Sequence, residues 1–422
     1  MGGLIKTYNH ASCILIPGKF TLILGSIVLY KAIREVMKSP HKRLNFNVLF
    51  AVSAVMMYLF YCCVQPYDPP EIRNADSFLV VDGSLNVAPL VGSRIKLTRT
   101  QNIVEKGIPD AEKEAIVRIE GDKGSNFLFV EGQPGTYTLG AVTYAQNEKF
   151  RLHIKTREGK EYVSLYVPII KTPPIDSVVY RLSPANAGAQ IYVNTHDPLN
   201  ATHFYRWSFE ETWEYRAPLY SAFEILGKQI KLRSEDVNTC WSSAKSSQIF
   251  LASSVKLSKD VIQDVPIAYV PTVSGKLRRK YSILVRQYGL SQPEFEYWTA
   301  LSKTTETTGS LFDPQPSQIT GNISCVSDPK ELVFGFFSAS STQEKRLFIT
   351  EQLGGLTLQD NSCVPLDTLP DVEAIRMFEQ LSHLILIEFP IPGQQKPWYI
   401  MGSPECSDCR LQGGTTKKPD FW

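Results

Sequence analysis

The sequence lacks the short motifs that mark the common classes of enzyme. It contains no H-E-x-x-H, no G-x-S-x-G, no Walker loop and no G-x-G-x-x-G. The chain therefore lacks the sequence signatures of zinc proteases, serine hydrolases, phosphate-loop proteins and dinucleotide-binding proteins. Histidine is also scarce, with six in 422 residues. We therefore expect a protein that is not an enzyme, with no catalytic residues and no cofactor.

The few histidines of the main body are dispersed along the chain. His196 and His203 flank the stretch "DPLNAT" and could share a metal ion only if that loop folded back on itself. His153 and His383 stand alone. The pattern favours solvated or hydrogen-bonded histidines over metal ligands, so the sequence predicts no metal site.

A strong excess of one charge is absent as well. The formal net charge is +2, but residues 1–62 hold seven basic residues and one acidic residue. The remaining residues carry 37 basic and 41 acidic side chains, a balance of about −4. A mildly acidic body gives no basic patch for a nucleic acid, so we expect no nucleic-acid partner.

Cysteine is too rare for a small disulfide scaffold, since the chain has only eight. Five of them lie in the body of the chain and are the candidates for disulfides: Cys240, Cys325, Cys363, Cys406 and Cys409. Because five is odd, one thiol should be free or should pair between chains if the others are oxidised.

For these five cysteines we expect two structural bridges. One joins Cys363 to either Cys406 or Cys409, and the other joins Cys240 to Cys325. The spacing Cys406-x-x-Cys409 also suits a redox pair, but it stands in a polar tail without the helix start that lowers a thiol pKa. We expect a structural clasp there.

The N-terminal region has the pattern of a lipoprotein precursor. In residues 37–62 a basic stub precedes an apolar run, Leu44–Phe60, of about 17 residues, which suits a signal-peptide core better than a membrane span. Two cysteines close the run. Cys63 is expected to carry the lipid and anchor the protein to the membrane, with Cys62 as the alternative. An uncleaved anchor helix is the competing interpretation.

Residues 1–36 do not fit a signal peptide. Their apolar stretch is interrupted by Pro17, Gly18 and Lys19, which a membrane helix carries only at a cost. We interpret this segment as a spurious extension upstream of a start at Met37. A genuine N-terminus with two helices is the alternative.

The body of the chain predicts a mainly β fold. After a proline-rich linker at residues 63–76, residues 77–171 alternate apolar and polar side chains between closely spaced turns, which indicates an N-terminal β-sandwich. Pro173 and Pro174 mark a boundary before a second β-rich domain at 175–350. Residues 351–422 form a C-terminal cap. The expected architecture is tandem immunoglobulin-like or fibronectin-like sandwiches with an inserted helix.

That helix is predicted over residues 291–308. Ser291 and Glu294 form an S-x-x-E capping box, and Phe295, Trp298 and Leu301 make an apolar face at spacings of three. A helix inserted among strands can dock on the edge or the face of a sheet.

The stretch "HFYRWSFEETWEYRAPLY", which begins at His203, is the best candidate for a binding surface. In a strand, Tyr205, Trp207 and Phe209 point one way, and Phe204, Arg206, Ser208 and Glu210 point the other. Arg206 and Glu210 would offer charge beside aromatic rings, and Trp213 and Tyr215 could stack on a ligand. The alternative is that these aromatic residues only fill the core.

Six blocks of sequence carry a resemblance to a known family. They are "CVQPYDPPE", "FLVVDGSLN", "IKLTRT", "TGSLFDPQPSQITGNISCVSDP", "FSASSTQEKRLFI" and the tail "CSDCRLQGGTTKKPDFW". Together, from Cys63 to Trp422, the chain resembles domain-of-unknown-function family 4249, lipoproteins of Bacteroidota. The resemblance implies an exported lipoprotein of the outer membrane, often encoded beside a TonB-dependent receptor.

On this resemblance we expect a non-enzymatic binding or accessory module in the cell envelope, anchored by its lipid. Its expected partner is a TonB-dependent outer-membrane receptor that takes up nutrients. The alternative is a structural envelope or adhesion lipoprotein with no small-molecule ligand.

Overall fold

The computed structural model describes residues 77–101, 107–145, 147–184, 187–306, 319–350 and 363–422. The predicted extension 1–36, signal peptide 37–62 and linker 63–76 lie outside the described residues, and so do Cys62 and Cys63. Among the described helices, none is long and apolar enough to cross a membrane.

The first sheet begins with nine strands that follow one another along the chain. They are β1 Leu79–Asn86, β2 Ser93–Arg99, β3 Ile116–Gly121, β4 Asn126–Leu128, β5 Val130–Glu131, β6 Thr136–Leu139, β7 Lys149–Lys155, β8 Glu161–Ser164 and β9 Val167–Ile170. In β7, buried Phe150, Leu152 and Ile154 alternate with more exposed side chains. Such alternation packs one face of the sheet into a core.

Three short strands complete this first sheet from far along the chain. They are β19 Ile323–Cys325, β20 Val333–Phe334 and β21 Ala339–Ser340. β19 pairs with β8, β20 pairs with β1, and β21 lies between β1 and β9. Gly335 makes the close approach to β1 feasible, since its φ is 121° and a Cβ there would lie 2.1 Å from the Val81 carbonyl oxygen.

This return of the chain differs from the predicted range 175–350 for a second domain. Residues 323–340 pair with the first sheet, and Ile323, Cys325, Phe337 and Ala339 are buried in its core. The sequence did not indicate the return because strands of two or three residues have too few positions to show a period.

The second layer of the molecule is a β-sandwich with its own core. Its strands are β10 Ile175–Leu182, β11 Gly188–His196, β12 Phe204–Arg216, β13 Phe223–Leu226, β14 Gln229–Leu232, β15 Thr239–Lys245, β16 Phe250–Ser253, β17 Val261–Pro271, β18 Tyr281–Gly289 and β22 Thr342–Ile349. One sheet has the order β10-β11-β17, and the other has β15-β12-β18-β22 with β16 against β12. Ile191, Trp207 and Ile283 are fully buried in the core. The predicted mainly β fold is confirmed.

The inserted helix, α1, spans Gln292–Glu306 and confirms the predicted helix up to the last described residue. The Glu294 N–H donates to Ser291 Oγ at 3.4 Å, as a capping box requires. The Phe295 ring lies 4.9 Å from the Phe204 ring, so the helix rests on β12.

The C-terminal cap is a small unit of short helices and a three-stranded sheet. Its elements are β23 Thr368–Leu369, α2 Asp371–Leu381, β24 Leu384–Phe389, β25 Trp398–Gly402 and α3 Pro404–Ser407, followed by a 3₁₀ turn at Cys409–Gln412. Ala374, Ile385 and Met401 form its core, and the β13–β14 hairpin packs against it through Phe223 and Ile225. Within residues 371–389 the chain changes from helix α2 to strand β24.

Two disulfides join the cap to itself and to the second layer. Cys363 bonds to Cys406, which confirms the predicted clasp, and Cys406 is not joined to Cys409. The predicted bridge between Cys240 and Cys325 is wrong, because Cys240 of β15 bonds to Cys409. Cys325 lies in β19, buried in the other core, and is the one free thiol among the described cysteines.

Candidate ligand-binding cleft

A cleft of about 1410 Å³ lies between the first sheet and the second layer. One wall consists of β1 and the start of β2, and the other consists of β12, β18 and helix α1. The return segment at 334–338 closes one side. Ligand sites often form where two packed units meet, and this volume exceeds the range of about 300–1,000 Å³ typical of small-molecule pockets. The cleft therefore has room for an extended ligand.

The wall on β12 follows from the alternation of its side chains. Tyr205 and Trp207 are fully buried in the core behind the strand. Arg206, Ser208 and Glu210 point the other way and line the cleft. The predicted division of the strand into two faces is confirmed for these residues, because the side-chain period of a strand is two.

Arg206 lies against two aromatic rings on the wall of the cleft. Its Cζ is 4.4 Å from the centre of the Tyr288 ring and 4.3 Å from that of Trp298. Tyr288 is its direct partner on β18 in the strand register, and Trp298 comes from the face of α1. The rings cover the guanidinium by cation–π contact, so its remaining binding capacity lies at its edge.

The protein leaves this arginine with unused hydrogen-bonding capacity. Its Nε is buried and has no hydrogen-bond partner in the described part of the chain. The described carboxylates of Glu294 and Asp82 act on it as nearby negative charges and form no ion pair with it. Burial lowers the pKa of Arg206, although a guanidinium keeps its charge in a protein. The result is a desolvated cation that faces the cleft.

Glu294 is the buried acid behind this arginine. It is only 4% exposed, its side chain interacts with Ser338, and the Trp298 Nε1–H donates to its Oε1 at 3.4 Å. Burial raises the pKa of the Glu294 carboxyl, while the charge of Arg206 acts in the opposite direction. The carboxyl thus fixes the indole that covers Arg206.

A second arginine of the cleft, Arg286, is already paired. The Arg286 Nε lies 2.7 Å from Glu344 Oε1, and its Nη1 lies 3.5 Å from Glu210 Oε2. All three side chains are partly exposed, so these contacts stabilise the fold by less than about 1 kcal/mol each. Arg206 therefore differs from Arg286 in having no acid to neutralise it among the described residues.

Of the four residues predicted for a binding surface, only two line the cleft. Arg206 and Glu210 do so, whereas Trp213 and Tyr215 lie on the opposite face of β12. Trp213 packs against the second core and carries Lys276 over its ring at 4.5 Å. The Tyr215 hydroxyl donates to the Cys409 carbonyl oxygen. These two aromatic residues are half-buried and make contacts within the protein away from the cleft.

The two histidines considered for a metal have separate neighbours. His196 Nδ1 lies 2.7 Å from Asp176 Oδ2, and His203 Nδ1 lies 3.3 Å from Ser254 Oγ. Interaction with Asp176 raises the pKa of His196. Within the described ranges, no group of three or more His, Cys, Asp or Glu side chains is arranged to hold a metal ion.

Sequence reasoning missed three of the residues that shape the site. Tyr288 was seen only as part of a strand, Trp298 as part of an apolar helix face and Glu294 as a capping residue. A signal for Trp298 exists, since it is a large aromatic residue one turn after a glutamate at an i, i+4 spacing. This i, i+4 spacing does not predict which part of the protein the helix face contacts.

Comparison with known proteins places the chain beside one family. The family model described as "Domain of unknown function (DUF4249)" matches residues 64–346. The match includes every residue of the cleft named above and stops before the C-terminal cap, although the sequence blocks had suggested a resemblance up to Trp422. No curated protein matches the chain.

Proposed function

We propose, from the premise that this chain belongs to the DUF4249 family, that it is an exported lipoprotein that binds a ligand without transforming it. The observation that carries this proposal is the cleft of about 1410 Å³ with Arg206 on its wall. Two aromatic rings hold the Arg206 guanidinium, and its Nε has no hydrogen-bond partner in the described part of the chain. Such an arginine is preorganised to recognise a ligand.

The proposed setting is the outer membrane. The cysteine doublet that follows the apolar run supports lipid anchoring at Cys63, with the proline-rich linker holding the body away from the bilayer. In this position the protein would collect its ligand and deliver it to a TonB-dependent receptor. A cleft that opens between the first sheet and the second layer suits such a role, since small rotations of one against the other can admit and release a ligand.

Co-purification from detergent-solubilised membranes tests the partnership. The tagged full chain is expected to bring down a β-barrel receptor in a one-to-one ratio, identified by mass spectrometry. The Cys63→Ala variant should lose both the membrane fraction and the barrel, because it cannot receive the lipid. Recovery of the lipoprotein alone, with its lipid intact, would contradict the uptake role and favour a structural role in the envelope.

A further inference from the structure

The ligand class can be narrowed further, on the basis of the proposed binding function. We infer that the cleft recognises a carboxylate: the guanidinium edge of Arg206 binds a carboxylate group of the ligand while the neighbouring aromatic rings cover its apolar part. The inference rests on four features of the cleft, namely the unpaired charge of Arg206, the geometry of its guanidinium, the carboxyl groups near it and the aromatic wall.

The first feature is the charge of Arg206, which no described carboxylate neutralises by an ion pair. A cation that is removed from water and left without a partner is costly to the folded protein. A ligand with a negative charge would remove that cost on binding. A neutral ligand would add to it by displacing the remaining water from the guanidinium edge.

The second feature is the geometry of the guanidinium. Contacts at 4.4 Å to the Tyr288 ring and 4.3 Å to the Trp298 ring fix its plane. Five N–H donors lie in that plane, and a carboxylate matches such a fork with two parallel hydrogen bonds. The rings contact the guanidinium, so a ligand reaches it at its edge, where a carboxylate can accept both hydrogen bonds.

The third feature is the number of negative charges around the site. Glu294 and Asp82 both act on Arg206, while Arg286 is engaged by Glu210 and Glu344. Two carboxyl groups so close to the guanidinium suit a ligand with a single negative charge, because each further negative charge on the ligand would meet their repulsion.

The fourth feature is the aromatic wall next to Arg206. The Tyr297 ring lies 5.5 Å from the Trp298 ring and 5.4 Å from the Phe336 ring, and all three residues line the cleft. Such a surface covers an apolar or flat part of a ligand. The arrangement therefore fits a molecule with a carboxylate attached to an apolar or ring-bearing portion.

A matched pair of probes tests the inference. Phenylacetate and phenylacetamide have the same ring and nearly the same shape, and they differ in charge. Saturation-transfer NMR titrations of the folded full chain should give a Kd for phenylacetate about tenfold lower than that for phenylacetamide, as expected for hydrogen bonds to a charged group. Phenyl phosphate serves as a third probe and should bind more weakly than phenylacetate.

Variants then assign the preference to Arg206. In Arg206→Gln the preference for phenylacetate should disappear, because the amide carries no charge. Arg181→Gln is the matched control: Arg181 also contacts a ring, that of Tyr192 at 4.6 Å, but it pairs with Asp264 outside the cleft. The control should keep the preference. Arg206→Met, whose flexible side chain can pack between two rings, replaces the glutamine variant if that one does not fold.

Several outcomes would overturn the inference. Equal affinity of the wild-type chain for the acid and the amide would contradict recognition of a carboxylate. The cleft would still bind a ligand, so the proposed function would survive. An unchanged preference in Arg206→Gln, or tighter binding of phenyl phosphate, would place recognition elsewhere. Failure of phenylacetate to saturate the wild-type chain would also reject the inference.

Discussion

Replacement of Trp207 by alanine is expected to lower the free energy of unfolding by about 3–5 kcal/mol. Trp207 is fully buried in the second core and stacks on Tyr205, with the ring centres 5.8 Å apart. Removal of the indole leaves a cavity that neighbouring strands cannot fill without breaking their pairing.

The loss of a buried hydrogen bond adds to the cost of this cavity. The Trp207 Nε1–H donates to Gln287 Oε1 at 2.8 Å, and Gln287 in turn donates to the Pro173 carbonyl oxygen and to Thr195 Oγ1. Without the indole, a buried acceptor of Gln287 has no partner, which costs about 1–3 kcal/mol if the site stays dry. The network also ties β12 and β18 to the chain segment that enters the second layer.

Equilibrium unfolding in urea, followed by circular dichroism, measures the effect. Trp398→Ala is the control, since Trp398 is only partly buried in the cap and its indole donates to Gln394. We expect its effect to be about 1 kcal/mol or less. Equal losses for the two variants would mean that Trp207 does not organise the second core.

Removal of the Cys240–Cys409 bridge is expected to be similarly damaging. The two cysteines are 169 residues apart in sequence, and in the chain-entropy model a loop of that length corresponds to about 5 kcal/mol of stabilisation. The bridge fixes the tail against β15, where Trp241 and Thr415 also exchange backbone hydrogen bonds. In a Cys240→Ser, Cys409→Ser variant the tail should become sensitive to protease.

The Cys363–Cys406 bridge closes a much shorter segment, with a separation of 43 residues, and corresponds to about 4 kcal/mol in the same model. Its removal should loosen the cap and leave the two sandwich cores intact. The free thiol provides the control: Cys325→Ala, in the first core, should cost about 1 kcal/mol and leave the tail protected. If the tail is cleaved at the wild-type rate after removal of the Cys240–Cys409 bridge and also after removal of the Cys363–Cys406 bridge, the clasp is contradicted.

The sequence determines the local elements of this fold better than their long-range partners. Helix α1 could be predicted because Ser291 and Glu294 are close in sequence and their capping interaction is local. The alternation of β12 likewise predicted that Arg206 and Trp207 point to opposite faces. Both inferences depend only on the geometry of one element.

The features that sequence reasoning missed all depend on distant segments. β19, β20 and β21 rejoin the first sheet more than 150 residues after β9, and their short length hides any pattern. The partner of Cys240 depends on how the tail crosses β15, so the choice of Cys325 was wrong. The cleft itself arises from the packing of two layers. The periodicity of apolar residues along one element does not predict a gap between layers.

The most direct test of the account is the identity of the small molecule that the protein carries when purified from its native cells. Mass spectrometry of the compounds released on denaturation should detect a carboxylate-bearing molecule in the wild-type chain and in Arg181→Gln. The same molecule should be absent from Arg206→Gln. Release of that compound in equal amount from Arg206→Gln, or of a ligand without a carboxylate that depends on Arg206, would contradict the account.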